Sequence, residues 1–203
     1  MDVSHWEKTR GPGGTQEGQW LIDPQSRRRA LVKLPGKWHR PEGDFATGET
    51  WAEMLASAVG RRLALSVPTT EVATFQGREG VLIWDFTPRG GELREGTTLF
   101  NKSRRMRVHI DDVREKLSTI IGEEEALKAV TEMVLFDILI GNQDRHVGNW
   151  GYLEFPGSGE KPVMAPYSDN GAAFASSWLP ETIEKQLSNG FERFDKGYSC
   201  LLK

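Results

Sequence analysis

Three oxygen-bearing side chains stand at a spacing that suits phosphoryl transfer. In the run Gly141-Asn142-Gln143-Asp144-Arg145-His146-Val147-Gly148-Asn149-Trp150, Asp144 precedes Asn149 by five positions, and Ser168-Asp169-Asn170-Gly171 follows about twenty residues on. Moving a γ-phosphoryl group needs one carboxylate to orient an attacking hydroxyl and accept its proton, together with oxygen ligands for Mg²⁺. Asp144 suits the first task, and Asn149 and Asp169 the second. Asp, His and Asn also cap helices and turns, and Asp144, His146 and Asp169 are equally a ligand set for Zn²⁺ or Mn²⁺ in a metal-dependent hydrolase. The joint spacing favours phosphoryl transfer over capping.

The chain before this run supplies elements that could position it. Gln19-Trp20-Leu21-Ile22 and Ala30-Leu31-Val32-Lys33-Leu34 read as strands around the turn residues Asp23-Pro24-Gln25-Ser26, with Lys33 in the second strand. Residues 35–48 are rich in Gly, Pro and charge and read as a loop. Residues 49–65 then place Trp51, Leu55, Ala58, Val59, Arg62 and Leu63 at helical spacing, with Glu49 and Glu53 one turn apart. Residues 70–75 and Val81-Leu82-Ile83-Trp84-Asp85-Phe86 flank Gln76-Gly77-Arg78-Glu79-Gly80 as an antiparallel hairpin. Residues 87–96 mark the change from a strand-rich half, residues 1–90, to a helix-rich half, residues 91–203.

Two helices are expected next, at 110–121 and 123–140, the second opened by three glutamates that suit the positive end of its dipole and closed by Gly141. Leu127, Val130, Met133, Val134 and Ile138 are its expected apolar stripe. Short strands at 150–155 and 162–167 around a turn at 156–161 would return Asp169 toward Asp144. A last helix is expected at 180–188.

Bulk properties narrow the class of protein. The 203 residues, 37% of them hydrophobic, suit one large domain or two small lobes. A net charge of −3 gives no general pull toward nucleic acid or an anionic membrane. The single cysteine, Cys200, excludes an intrachain disulfide. There is no apolar run long enough to span a bilayer and the first residues are polar, so a cytoplasmic protein without nucleic-acid or membrane partners is expected. Seven tryptophans without a fixed period are expected in the core or lining a cleft.

The Asp-to-Asn spacing matches a protein-kinase catalytic loop, but the His-Arg-Asp order is inverted to Asp144-Arg145-His146 and the third motif reads Asp169-Asn170-Gly171. In this the chain resembles the HipA-like serine/threonine kinases and, more distantly, the phosphatidylinositol 3/4-kinases, with the likeness densest over residues 130–171 and including the lead-in Phe136-Asp137-Ile138-Leu139-Ile140. The resemblance implies an α+β, protein-kinase-like two-lobed fold, with an antiparallel-sheet N-lobe (1–90) and a mainly helical, shortened C-lobe (91–203). It implies an ATP- and Mg²⁺-dependent kinase acting on a protein Ser/Thr hydroxyl, with Asp144 as base and Asn149 and Asp169 as metal ligands. His146 would hydrogen-bond within the loop or steady the transferring phosphate.

A kinase also needs a strand lysine for the α/β-phosphates, a helix glutamate pairing it and a hinge for adenine. Lys33, Glu53 (with Glu49 as runner-up) and Ile83-Trp84-Asp85-Phe86 stand in that order, whereas a hydrolase leaves them without roles. Only about thirty residues follow Asp169, where HipA-like kinases continue with several helices. A non-catalytic nucleotide-binding module, or half of a split kinase with a lobe-completing partner, is therefore the alternative; a hydrolase or lipid kinase is a further one. Toxin–antitoxin pairing is implied by the family alone.

Two further segments invite a role. Gly11-Pro12-Gly13-Gly14-Thr15-Gln16-Glu17-Gly18 is a candidate phosphate-covering loop, with Thr15 a candidate autophosphorylation site, although it lacks a spaced G-x-G-x-x-G. Lys102-Ser103-Arg104-Arg105-Met106-Arg107 is a basic cluster that reads as a solvated face or as a dock for an acidic partner. His5, His39 and His109 show no ligand spacing.

Overall fold

A computed structural model describes residues 1–11, 18–41, 43–100 and 107–188. Most of the candidate phosphate-covering loop, most of the basic cluster, and Cys200 lie outside the described residues.

Strands β1 (Glu7–Thr9), β2 (Gln19–Ile22) and β3 (Arg29–Lys33) begin an antiparallel sheet that continues after two insertions. The first insertion is a small hairpin, β4 (Lys37–Arg40) with β5 (Gly43–Ala46), where a loop was expected. Trp38 and Phe45 face each other across it, and Asp44 pairs with both Lys37 and His39, so cross-strand side chains order a Gly- and charge-rich stretch. The second insertion is helix α1 (Glu49–Arg62). Strands β6 (Thr70–Phe75) and β7 (Arg78–Trp84) then complete the sheet in the order β1-β2-β3-β7-β6. Their two-residue turn has positive φ at both Gln76 (52°) and Gly77 (73°), the geometry that matches strand twist in a tight hairpin.

The pleat sorts the sheet residues onto two faces. Ala30 and Val32 of β3 join Leu82 and Trp84 of β7, with Val3, Trp6 and Leu21, in one apolar layer. Leu31, Val81 and Ile83 face the other way, onto Trp20 and the α1 residue Met54. Lys33, two residues after Leu31, follows it onto the α1 side. A Cβ at Gly80 would collide with the Lys33 carbonyl, so glycine there lets β7 close on β3 beside the lysine.

Helix α1 turns a different side inward from the expected one. Ala52, Glu53, Ala56, Ser57 and Gly60 are buried, whereas Trp51 and Leu55 are 57% and 51% exposed. Small residues let the helix approach both the sheet and the helical half, and Ala52 and Ala56 belong to the core of that half.

The second half opens with β8 (Glu92–Glu95) and the single turn α2 (Thr97–Phe100). Helices α3 (Ile110–Ile121) and α4 (Glu123–Ile140) pack together, separated by Gly122 at φ 98°. His109 caps α3 by accepting the Asp111 N–H, and Gly141, left-handed at φ 66°, ends α4. The expected stripe of α4 is half right: Val130, Met133 and Val134 are buried, but Leu127 and Ile138 are exposed. Strands β9 (Gly151–Glu154) and β10 (Val163–Met164) pair with each other, and β9 also pairs with β8. Helix α5 (Pro180–Ser188) follows where it was expected. Among the described residues no helix is long and apolar enough to cross a membrane.

Candidate active site

The site forms where the sheet, α1, the loop after α4 and the loop after β10 converge. Lys33 extends from β3 and donates from Nζ to Glu53 Oε1 and to Asp169 Oδ1, each at 2.8 Å. Glu53 is buried and uses its second oxygen to accept the Asn170 N–H at 3.0 Å. One carboxylate thus ties α1 both to the sheet and to the Asp169 loop. Glu49 takes no part in this pairing, which decides between the two candidate glutamates.

Charge balance in this cluster is tight. Burial by itself would depress the Lys33 pKa, but the Glu53 and Asp169 carboxylates outweigh it and hold the ammonium above the ordinary lysine range. Burial works against the Asp169 charge as well, and Lys33 outweighs it, keeping this carboxyl below the usual aspartate range. Asp169 has φ 58°, the left-handed region that aspartate tolerates better than most residues.

The loop from Asn142 to Asn149 is held by its own backbone and by one buried arginine. Asn142 donates its side-chain amide to Asp137 Oδ1 and accepts the Asp144 N–H, which begins the loop in a fixed direction. Asn149 donates from Nδ2 to the Asp144 carbonyl at 2.7 Å, turning its amide oxygen away from that bond. His146 accepts the Gly148 N–H on Nδ1, so a neutral ring carries its proton on Nε2, which lies 3.9 Å from Asp144 Oδ2. Of the two roles offered for His146, the bond within the loop is the one seen. The Asp144 side chain is about half exposed.

Arg145, for which no role was foreseen, is completely buried. It pairs with Asp137 of α4 at 2.8 Å and donates to the Asn149 carbonyl (2.7 Å), the Ser168 carbonyl (2.5 Å) and Asn170 Oδ1 (2.6 Å). One guanidinium therefore joins α4, the Asp144 loop and the Asp169 loop, a task its fixed fork of five donors suits. The Asp137 carboxylate leads the charge effects that keep Arg145 protonated despite complete burial. A sequence signal for this pair existed: Asp137 interrupts the apolar end of α4, and an unpaired carboxylate is too costly to bury there.

The cleft between the halves is lined by Trp20, Leu31, Lys33, Ile83, Asn149 and Asp169, with residues 84–87 along one edge. Of the four residues foreseen as its hinge, Ile83 and Phe86 supply apolar wall, joined by Trp20 and Leu31. The Trp84 ring lies in the opposite layer, 5.8 Å from Trp6 between centroids, and its indole donates to Glu71. The period-2 alternation of β7 gives the cleft side to Ile83. Asp85 is turned to Arg29 at 2.6 Å, so Trp84 and Asp85 offer the cleft no free apolar or charged side chain. Phe86 does line the cleft.

The donor chemistry fits Mg²⁺ better than Zn²⁺. Asp169 spends Oδ1 on Lys33, leaving Oδ2, and Asn149 presents an amide oxygen; Mg²⁺ takes one or two protein oxygens with phosphate and water completing its octahedron. Among the described residues no three His, Cys, Asp or Glu side chains form a cluster able to hold a metal by themselves, as zinc usually demands.

Comparison with known proteins finds relatives among kinases. No protein-family model matches the sequence. The serine/threonine-protein kinase CtkA of Helicobacter pylori is 29% identical over 166 residues, which cover 78% of this chain and 51% of CtkA. A crystal structure of the Helicobacter pylori proinflammatory kinase CtkA superposes with a TM-score of 0.74 at 26% identity, covering 93% of this chain and 66% of that one. The Shewanella oneidensis toxin–antitoxin complex of HipA, HipB and operator DNA matches in fold alone, with a TM-score of 0.58 at 12% identity over 83% of this chain and 45% of that one. The chain spans about half the length of the curated relative and about two thirds of its solved chain.

Proposed function

We propose that this relative of the HipA-like kinases, which shares their α+β two-lobed fold, is an ATP- and Mg²⁺-dependent kinase that phosphorylates a protein serine or threonine hydroxyl. The observation that carries this reading is the position of Lys33, held at 2.8 Å from both Glu53 and Asp169 inside the cleft. The N-lobe is assigned to residues 1–90 and the C-lobe to residues 91–203.

Each residue then has a defined task. Lys33, kept charged by its two carboxylates, binds phosphate oxygens, and Glu53 fixes its direction. Asn149 and Asp169 would hold Mg²⁺, which when bound neutralises charge on the phosphates. Asp144 orients the acceptor hydroxyl and takes its proton. His146 shapes the loop through Gly148, and Arg145 keeps Asn149 and the Asp169 loop in register. Residues 84–87 border the adenine subsite, Trp84 and Asp85 through main chain and Phe86 through its side chain.

The partners of the same reading are a protein substrate in the cytoplasm and a second polypeptide that pairs with the chain as an antitoxin. The second reading is a nucleotide-binding pseudokinase or half of a split kinase. Incubation with γ-labelled ATP and Mg²⁺, alone and with cell lysate, separates the two. The kinase labels protein, and Asp144→Asn and Asp169→Asn abolish the label. Nucleotide binding without label transfer to any protein sinks the catalytic reading.

A further inference from the structure

Asp169 sits at φ 58°, a conformation that a residue with a side chain keeps only where its surroundings over-determine it. The restraint has to come from the peptide units on either side. Arg145 holds the Ser168 carbonyl at 2.5 Å before it, and Glu53 holds the Asn170 N–H at 3.0 Å after it.

The Asn170 side chain joins these two holds. It is buried, and each of its polar atoms is in use. Its Nδ2 donates back to the Tyr167 carbonyl at 2.9 Å, and its Oδ1 accepts from Arg145 at 2.6 Å. Its main-chain carbonyl accepts the Ala173 N–H at 3.0 Å. Tyr167 is fixed in turn, with its N–H on the Ser66 carbonyl and its hydroxyl on the Ala129 carbonyl of α4. The Asn170 amide therefore closes a ring around Asp169 that is anchored at Tyr167 and Arg145. A short amide suits this place because one end must donate and the other accept; a carboxylate of the same size only accepts. None of these bonds touches the Asp169 carboxylate, whose Oδ1 meets Lys33 and whose Oδ2 is left for a metal.

We propose that Asn170 is a positioning residue for the metal site: by holding the Asp169 backbone in the left-handed region it aims the carboxylate, and so sets how strongly Mg²⁺ favours nucleotide binding. This rests on the metal-binding role given to Asp169 above. Groups that orient a metal ligand without touching the metal typically change metal affinity by about 10- to 100-fold. Lys33 keeps Glu53 as a second anchor, so nucleotide binding without metal should change little.

The test is calorimetric titration with ATP, once in excess Mg²⁺ and once in EDTA, on wild type, Asn170→Ala and Asn170→Asp. Wild type should bind ATP at least about tenfold more tightly with Mg²⁺. In both variants that gain should shrink to about twofold or less, while the dissociation constant in EDTA stays within about threefold of wild type. A residue that served stability alone would lower the thermal transition and leave the gain intact; that outcome in a folded variant overturns the proposal, as does equal weakening with and without Mg²⁺. Should alanine prevent folding, aspartate, which keeps an acceptor for Arg145 and loses the bond to Tyr167, decides by itself. A wild type with no gain from Mg²⁺ overturns the metal-site reading and the proposal with it, and one that binds no ATP overturns the nucleotide-binding reading as well.

Discussion

Glu53 and Asn170, 117 residues apart, are joined by a 3.0 Å bond from the Asn170 N–H to Glu53 Oε2, while Glu53 Oε1 holds Lys33 at 2.8 Å. A side chain of α1 thereby sets the backbone of the loop that carries Asp169. Glu53→Gln keeps the shape but loses the charge, and a hydrogen bond to a charged group contributes about 1.5–3 kcal/mol. Phosphotransfer efficiency is expected to fall by about 10- to 100-fold in Glu53→Gln, read as kcat/KM for ATP. Glu49→Gln should leave it within about twofold, because Glu49 takes no part in the Lys33 pairing. Equal losses in the two variants would refute the assignment.

Arg145 and Asp137 form a fully buried pair, and removing one partner strands the other's charge away from water. Asp137→Ala and Arg145→Met should each destabilise the fold by about 3–5 kcal/mol in urea denaturation. The double variant is expected to lose less than the sum of the two. Additive losses would show that the pair does not act as a unit.

Asp144 is half exposed, and its backbone rather than its carboxylate holds the loop. Asp144→Asn should therefore cut kcat by about 100- to 10,000-fold while moving stability by no more than about 0.5 kcal/mol. A large drop in unfolding midpoint with this substitution would mean that the carboxylate is structural.

The Lys33–Asp169 pair predicts a pH signature of stability. Asp169 has a lowered pKa in the folded state, so its contribution is present above the ordinary aspartate value near 3.9 and is lost as pH falls through the lowered one. Lys33 has a raised pKa, so its contribution is present below the ordinary lysine value near 10.4 and is lost only as pH rises through the raised one. Both are in force between about pH 5 and pH 9. Lys33→Met should cost stability across that window, and the gap to wild type should narrow below about pH 4 as Asp169 protonates. Urea midpoints measured from pH 3 to pH 9 check this, and a gap independent of pH would count against the pair.

Much of the site was legible because its chemistry is local in sequence. Asp144, His146 and Asn149 lie on one loop, and α3, α4 and α5 were bounded by glycine, acidic residues and proline that act over one helical turn. The β6–β7 hairpin was visible in its alternation, with its turn two residues long rather than five. The hairpin at Lys37–Ala46 was missed because its order comes from cross-strand pairs, Trp38 with Phe45 and His39 with Asp44, which composition hides.

Orientation required the tertiary structure. Helical spacing put Trp51 and Leu55 on an inward stripe, yet α1 buries Ala52 and Ala56, because close approach to two neighbours rewards small side chains over large ones. Trp84 looked like a cleft wall until the pleat of β7 turned its ring to Trp6 and gave the cleft to Ile83.

Residue types and spacing along the chain by themselves singled out the groups proposed for phosphoryl transfer: a carboxylate, an amide oxygen and a second carboxylate in fixed order, with a strand lysine ahead of them. Only the tertiary structure decided that Glu53 rather than Glu49 meets Lys33, and that Arg145 ties α4 to both loops. Those bonds reach between residues as many as 25 positions apart. Distances of that kind are set by how sheet and helices pack, and no local periodicity encodes them.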